Sequence, residues 1–184
     1  QEAVASFGDW FKMLETTSLN KSYKMIVLRT LMETGQLFAT VDLYSFSGHC
    51  RRLMQNHDVL RRDLQGSNHA IDHEKATDQD WADWWIRWPI DRWAARQNGT
   101  RWFAKEGDTF RFAIECDDAV RPTLESLTEE LVDWRLAAYT RSRRLVVTED
   151  EDLSFEAKVS HANGRPILFL PDRTKLPNRP VGPI

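Results

Sequence analysis

Five tryptophans, Trp81, Trp84, Trp85, Trp88 and Trp93, crowd one short stretch, and this run limits the possible folds more than any other feature. The first four stand at i, i+3, i+4 and i+7, the spacing of one face of an α-helix. A face so large and apolar has to be covered. The spacing therefore predicts a helix, capped by Asp78, that lies against the core of a folded domain. Pro89 has no N–H to donate and biases Trp88 toward extended backbone, which predicts a break or restart at that point. At such a break Trp88 and Pro89 would form a rigid apolar corner. Arg92 and Trp93 follow within one turn, so a cation and an aromatic ring would lie together there, a combination suited to a binding site.

The rest of the 184 residues supports a folded domain. Hydrophobic residues make up 41% and charged residues 29%, with only 8 Gly and 7 Pro, which excludes a disordered chain, a collagen-like repeat and a low-complexity linker. No run approaches the roughly 18 apolar residues of a membrane span, so a soluble chain with no membrane partner is expected. Cys50 and Cys116 have no CxxC neighbour and read as reduced thiols, which predicts a cytoplasmic protein. The chain begins at Gln1 and ends in a run holding Pro171, Pro177, Pro180 and Pro183, which reads as a domain of a longer protein with an effector elsewhere.

Periodicity predicts helices over Phe7 to Glu15, over Tyr23 to Glu33 after a cap at Ser22 or Asn20, and from Thr40 with Val41, Leu43, Phe46 and Leu53 inward. A further helical piece covers His57 to Leu64. Asn98-Gly99 marks a turn, and Trp102 to Ala104 with Phe110 to Phe112 form a hairpin around Glu106-Gly107-Asp108. Thr123 to Arg141 reads as a long helix with Leu124, Leu127, Leu131, Trp134 and Ala138 inward. Leu145 to Val147, Leu153 to Val159 and Ile167 to Leu170 read as strands. The expected class is α+β, a mainly helical core with a small hairpin and a C-terminal β appendage. The expected division is a helical-rich recognition domain over residues 1–144 and an appendage with a proline-rich tail over 145–184.

The net charge of −3 does not by itself suggest nucleic acid, but the charges are unevenly spread. His49, Arg51, Arg52, Arg61 and Arg62 lie close together, while acid gathers in Asp72 to Asp83 and Glu149 to Asp152. Arginine pairs can clamp phosphates bidentately. They can equally form a solvated face paired with Asp58, Asp63 and the acidic loop. The tryptophans carry the same ambiguity, since a stacking surface for bases and a core face share one spacing. His69 and His73 stand four apart without a third ligand at motif spacing, and Glu156-Ala157-Lys158 below Asp150 and Asp152 only superficially matches a nuclease triplet. No phosphate-binding P-loop, nucleophile elbow or Cys–His pair occurs. No catalytic residue, metal or cofactor is expected in this chain.

Two segments carry a resemblance: Lys21 to Gly35 (KSYKMIVLRTLMETG) and Trp88 to Phe103, which contains WPIDRW and NGTRWF. Together they resemble the sulfur-binding domain of phosphorothioate-dependent type IV restriction enzymes. That family has a lysine-led helix, an aromatic–Pro–aromatic segment, then a turn and a strand tryptophan. The runs LRRDL (Leu60 to Leu64), LVDWRLAAY and HANGRPILFLPDR also resemble the C-terminal region of prokaryotic DEAD/DEAH-box helicases linked to phage defence. The resemblance implies a pocket for backbone sulfur at Trp88 and Pro89, with backbone contacts from His49 and Arg51 or Arg52. Arg92 stands where the family has a small residue. Sulfur is softer and less hydrated than oxygen, so an apolar wall can hold it at little desolvation cost. The expected function is a DNA-binding module that recognises modified, phosphorothioate duplex through His49, Arg51, Arg52, Arg61, Arg62, Trp88, Pro89, Arg92 and Trp93. The alternatives are a helicase accessory domain that holds single-stranded DNA, and a protein–protein docking domain.

Overall fold

Two helices open the chain for different reasons. Gly8–Thr16 (α1) turns Trp10, Met13 and Leu14 inward, whereas Tyr23–Glu33 (α2) is apolar on nearly all sides and eight of its eleven residues are buried. The computed structural model describes residues 7–64, 71–72, 75–150, 158–162 and 165–169. The chain forms two compact units, Gln1–Arg143 and Arg144–Ile184. The first is an α+β unit, mainly helical, and it holds every element of the candidate site.

α2 ends at Gly35, whose φ of +63° only glycine adopts cheaply. The cap expected of the Ser22 side chain does not form. Its backbone N–H instead donates to Asp63 Oδ2 at 2.8 Å. Thr40 does not open a helix either. Thr40–Asp42 is a strand (β1), and the helix begins one residue later as Leu43–Gln55 (α3), capped by the Asp42 carboxylate on the Ser45 N–H. The reason is long-range: β1 pairs antiparallel with Thr109–Phe112 (β3), which also pairs with Phe103–Glu106 (β2), in the order β1-β3-β2. Val41 opposite Phe110 buries the sheet's inner face, and Phe103 stacks on Phe110 with centroids 4.8 Å apart. Gly107 (φ 55°) turns the hairpin, and Asn98 and Gly99 both take positive φ as the NG signal requires.

Asp58–Arg61 (α4) runs into a 3-10 turn, Arg62–Leu64. The tryptophan helix, Asp78–Trp85 (α5), is capped by Thr77 rather than Asp78: Thr77 and Asp80 form a reciprocal capping box. Pro89 does not break the helix. Ile86–Ile90 widens into a π turn, with the Asp91 N–H donating to the Ile86 carbonyl five residues back, and the chain continues into Asp91–Ala94 (α6). A wider turn clears the proline ring from the carbonyl below it, the clash that would otherwise kink the helix.

Arg121–Asp150 (α7) is longer than expected, and Leu145 to Val147 are helical rather than extended. Among its described side chains Leu124, Thr128, Val132 and Tyr139 are buried, and Trp134 and Ala138 are not; Trp134 is 58% exposed. Leu124 is buried as expected and Leu131 packs against the core, but further along the inner stripe runs through Val132 and Tyr139 instead of Trp134 and Ala138. Thr128 holds the inner stripe because its hydroxyl accepts the Trp10 Nε1–H at 2.9 Å inside the core. Val132 shares that side at i+4, and a residue two places on points away. Trp10, Trp81, Trp85, Trp93, Phe103 and Phe110 are among the largest fully buried side chains. In the second unit Lys158–Ala162 (β4) pairs antiparallel with Arg165–Phe169 (β5). The readings made on His69, His73, Leu153 to Ala157 and Leu170 fall outside the described residues. Among the described residues, no helix is long and apolar enough to cross a membrane.

Candidate nucleic-acid interface

The thirteen residues of α3 contain no acid. Leu43, Phe46, Ser47, Cys50 and Met54 face the core, which leaves Tyr44, Ser45, His49 and Arg52 exposed, with Gly48 between them. Against this face lies the start of α5. Between the two helices is a cleft of about 300 Å³ whose walls include Tyr44, Gly48, Arg52, Gln55, Asp78 and Trp81. Tyr44 is half exposed, and Gly48 is small enough that a Cβ there would lie 3.6 Å from Arg52 Nη1. The Arg52 guanidinium thus lies along the helix beside the glycine.

Arg51 and Arg52 differ although they are neighbours. Arg51 is committed within the fold: its Nη1 is 2.7 Å from Asp78 Oδ1, and its guanidinium sits 4.8 Å from the centroid of the Trp81 ring. It forms the wall between α3 and α5 and is no longer an uncompensated charge. Arg52 and His49 remain on the open face. Arg61 and Arg62 are both exposed, Arg61 with Asp58 Oδ1 at 3.2 Å. No described cleft holds either of them together with Arg51 and Arg52.

The aromatic–proline corner is not the surface that the sequence suggests. Pro89 is buried in the π turn, and Trp93 is fully buried between Trp10 and Phe103, its Nε1–H donating to the Lys24 carbonyl at 2.9 Å. Neither ring can wall an open pocket, because the hydrophobic core has claimed both. Trp88 is half-buried and borders a separate cleft of about 420 Å³ with Trp84, Asp72, Asp80, Asp83 and Arg87. The cleft's three carboxylates outnumber the two cations that line it, Lys75 and Arg87, and Lys75 already lies 3.8 Å from Asp72, so the charge balance disfavours a phosphate. Arg92 is exposed, but the cation over the Trp93 ring is Lys24, at 5.6 Å from the centroid.

Sequence reasoning missed two features. Asp63, read as a surface partner for arginines, is 3% exposed and sits at a hub. Its carboxylate accepts from the Ser22 N–H and from the Tyr139 hydroxyl at 2.6 Å, with Lys21 and Arg143 at 3.8 and 3.9 Å, and its carbonyl accepts from Tyr23. Burial, and then the Asp63 carboxylate beside it, push the Tyr139 phenol above its ordinary range. The KSYK run at the start of α2 is therefore first an anchor for Asp63. The second missed feature is Tyr44, whose exposure depends on which way α3 rolls. The two thiols are free; Cys50 is buried, and burial pushes its thiol up to about 12. Among the described residues no three His, Cys, Asp or Glu side chains gather as a metal site would require. Compared with known proteins, the chain matches no family model, no curated protein and no solved structure.

Proposed function

We propose that the first unit is a DNA-binding module of a prokaryotic restriction or phage-defence protein, and that it grips the phosphate backbone with the solvent face of α3. One observation carries this reading: an exposed helix face without acid that holds His49 and Arg52 around the small residues Ser45 and Gly48. Small residues let a helix come close to a backbone, hydroxyls and cations bond its oxygens, and a face without carboxylates avoids repulsion. Arg51 acts by holding α5 in place rather than by touching DNA. The preference for phosphorothioate duplex comes from the family resemblance. With Pro89 buried, the apolar contact to sulfur is assigned to the Tyr44 ring, which shares the cleft with Arg52. We further propose a cytoplasmic location, in keeping with two free thiols.

The test is fluorescence anisotropy with one duplex, carrying or lacking a single phosphorothioate, at low and moderate salt. Tighter binding to the sulfur duplex is expected, with Arg52→Gln lowering the salt slope by about 1. Equal affinities would reduce the reading to a general duplex module, and preference for single strands would select the helicase accessory. No binding at low salt would overturn it. The protein-docking alternative draws on Trp134, 58% exposed on α7. Self-association that Trp134→Ala abolishes would favour it.

A further inference from the structure

A third groove, of about 550 Å³, has no residue of α5 among its described lining. It is bounded by α2, by the corner where α3 passes into α4, and by α7. Leu53, Leu60, Leu136 and Ala137 give it an apolar lining; Leu53 and Leu136 are half-buried and Ala137 is exposed. The His57 ring at the corner is committed to the fold, where its Nδ1 accepts the Leu60 N–H and caps α4. None of the residues assigned to the DNA face lines this groove, and neither does Trp134.

The charges along its wall do not balance. Arg29 of α2 is the one Lys or Arg among its described lining residues. Three carboxylates converge on that guanidinium. Glu33 Oε1 lies 3.1 Å from Nε, while Glu129 Oε1 and Asp133 Oδ1 share Nη1 at 3.1 and 2.7 Å. All three acidic side chains stay roughly half exposed. Glu129 and Asp133 stand four apart on α7, a spacing at which like charges repel. One guanidinium against three carboxylates leaves two negative charges beside aliphatic surface. A ligand suited to this wall brings aliphatic groups and cations together. The stretch of α7 that lines the groove, Asp133 to Thr140, runs about 10 Å, or two turns. With its edges half exposed, a trough of this kind covers one side of a segment, whereas a small-molecule site encloses most of its ligand.

We infer that this groove is a docking site for a basic amphipathic segment of a partner protein. Its aliphatic side chains sit on Leu53, Leu136 and Ala137, and its Lys or Arg side chains pair with Glu33 and Asp133. Helix-in-groove recognition divides the work in this way: apolar anchors supply affinity, and flanking charges choose the partner. Exposed ion pairs are individually weak, so the acids decide which segment enters more than how tightly it is held.

The probe is a fluorescein-labelled amphipathic peptide of leucine and arginine, about 12 residues or three helical turns long. Its control has glutamate in place of each arginine. Anisotropy titrations of the 184-residue chain should show binding of the arginine peptide and none of the glutamate peptide. Ala137→Arg puts a bulky cation into the groove from an exposed position, four residues after Asp133. It should abolish peptide binding without lowering the Tm, because the new pair with Asp133 has favourable helical spacing. Glu33→Gln and Asp133→Asn should each weaken binding about three- to fivefold. Asp83→Asn, the same loss of charge at the other acidic cleft, should leave it unchanged, as should Trp134→Ala. Duplex affinity in Ala137→Arg should equal that of wild type, so the DNA reading is tested separately. The inference is overturned if the arginine peptide does not bind or if Ala137→Arg still binds it. It is also overturned if Asp83→Asn weakens binding as much as Asp133→Asn, the mark of general attraction to an acidic protein. Sedimentation of the chain alone completes the test: self-association that Ala137→Arg abolishes would give the groove to a second copy and overturn the partner segment.

Discussion

The same helix, α5, borders two clefts that differ in charge balance. On the α3 side Trp81 forms a wall beside Tyr44, with Arg51 and Arg52 against one carboxylate, Asp78; on the other, Trp84 and Trp88 meet Asp72, Asp80 and Asp83 against Lys75 and Arg87. The two clefts share no described residue. Tryptophan is common to both, so the ring does not decide which ligand charge is welcome. The neighbours do. Trp81 is 1% exposed and serves as a rigid floor, whereas Trp88 is half-buried and can be reached. A tryptophan beside a proline is thus a poor guide to an anion site unless the charges around it are known.

The largest effect should separate the two walls by stability. Trp81→Ala should cost about 3–5 kcal/mol, as expected for emptying a buried aromatic site, whereas Trp88→Ala should cost about 1–2 kcal/mol. Urea unfolding would measure both, and equal losses would break the distinction between floor and rim. The next test separates them by charge. Arg52→Glu should weaken duplex binding by about tenfold or more at low salt, while Asp83→Ala should leave it unchanged or slightly stronger. Anisotropy titrations would read both, and the reverse pattern would place the interface on the wrong side of α5.

A third test uses acid. Hydrogen bonds from Ser45 hold the Asp42 carboxyl below its ordinary value of 3.8, and bonds from Thr77 do the same for Asp80. Because both folded values lie lower, each cap's contribution is present above 3.8 and is lost as the pH falls through the folded values. Asp80→Asn should flatten that part of the acid response of α5, followed by tryptophan fluorescence, and Asp42→Asn should do so for α3. The smallest effect concerns Gly48. A methyl there meets Arg52 Nη1 at 3.6 Å, an ordinary contact, so Gly48→Ala should stabilise α3 by about 0.5–1 kcal/mol. If the glycine lets the backbone of DNA approach, the same variant should bind duplex more weakly. Gains in both would remove Gly48 from the interface.

Much of the fold was legible because it is local. The α1 and α2 helices, the helix stop at Gly35 and the hairpin at Gly107 follow from spacing, caps and turn residues acting within a few positions. The β1 strand was not, because three residues become a strand only when β3 arrives from nearly seventy residues away. The candidate site was half legible. His49 and Arg52 stand exposed on α3 as their spacing suggested, but Arg51 is tied to Asp78, and Pro89 and Trp93 went into the core.

Local spacing, caps and turn residues placed most helices and the turns and required that the tryptophan stripe be covered, while the start of α3 and the far end of α7 lay beyond their reach. What they placed is a matter of backbone geometry and of apolar surface, and neighbours along the chain settle it. Long-range packing settled which α7 residues beyond Leu124 turn inward, the burial of Asp63, and which cation lies over Trp93. The physical reason is that charge and exposure are properties of a neighbourhood. Lys24 came to lie over Trp93 through what packed beside it, and that neighbourhood is assembled from α2, α6 and the turn at Thr17.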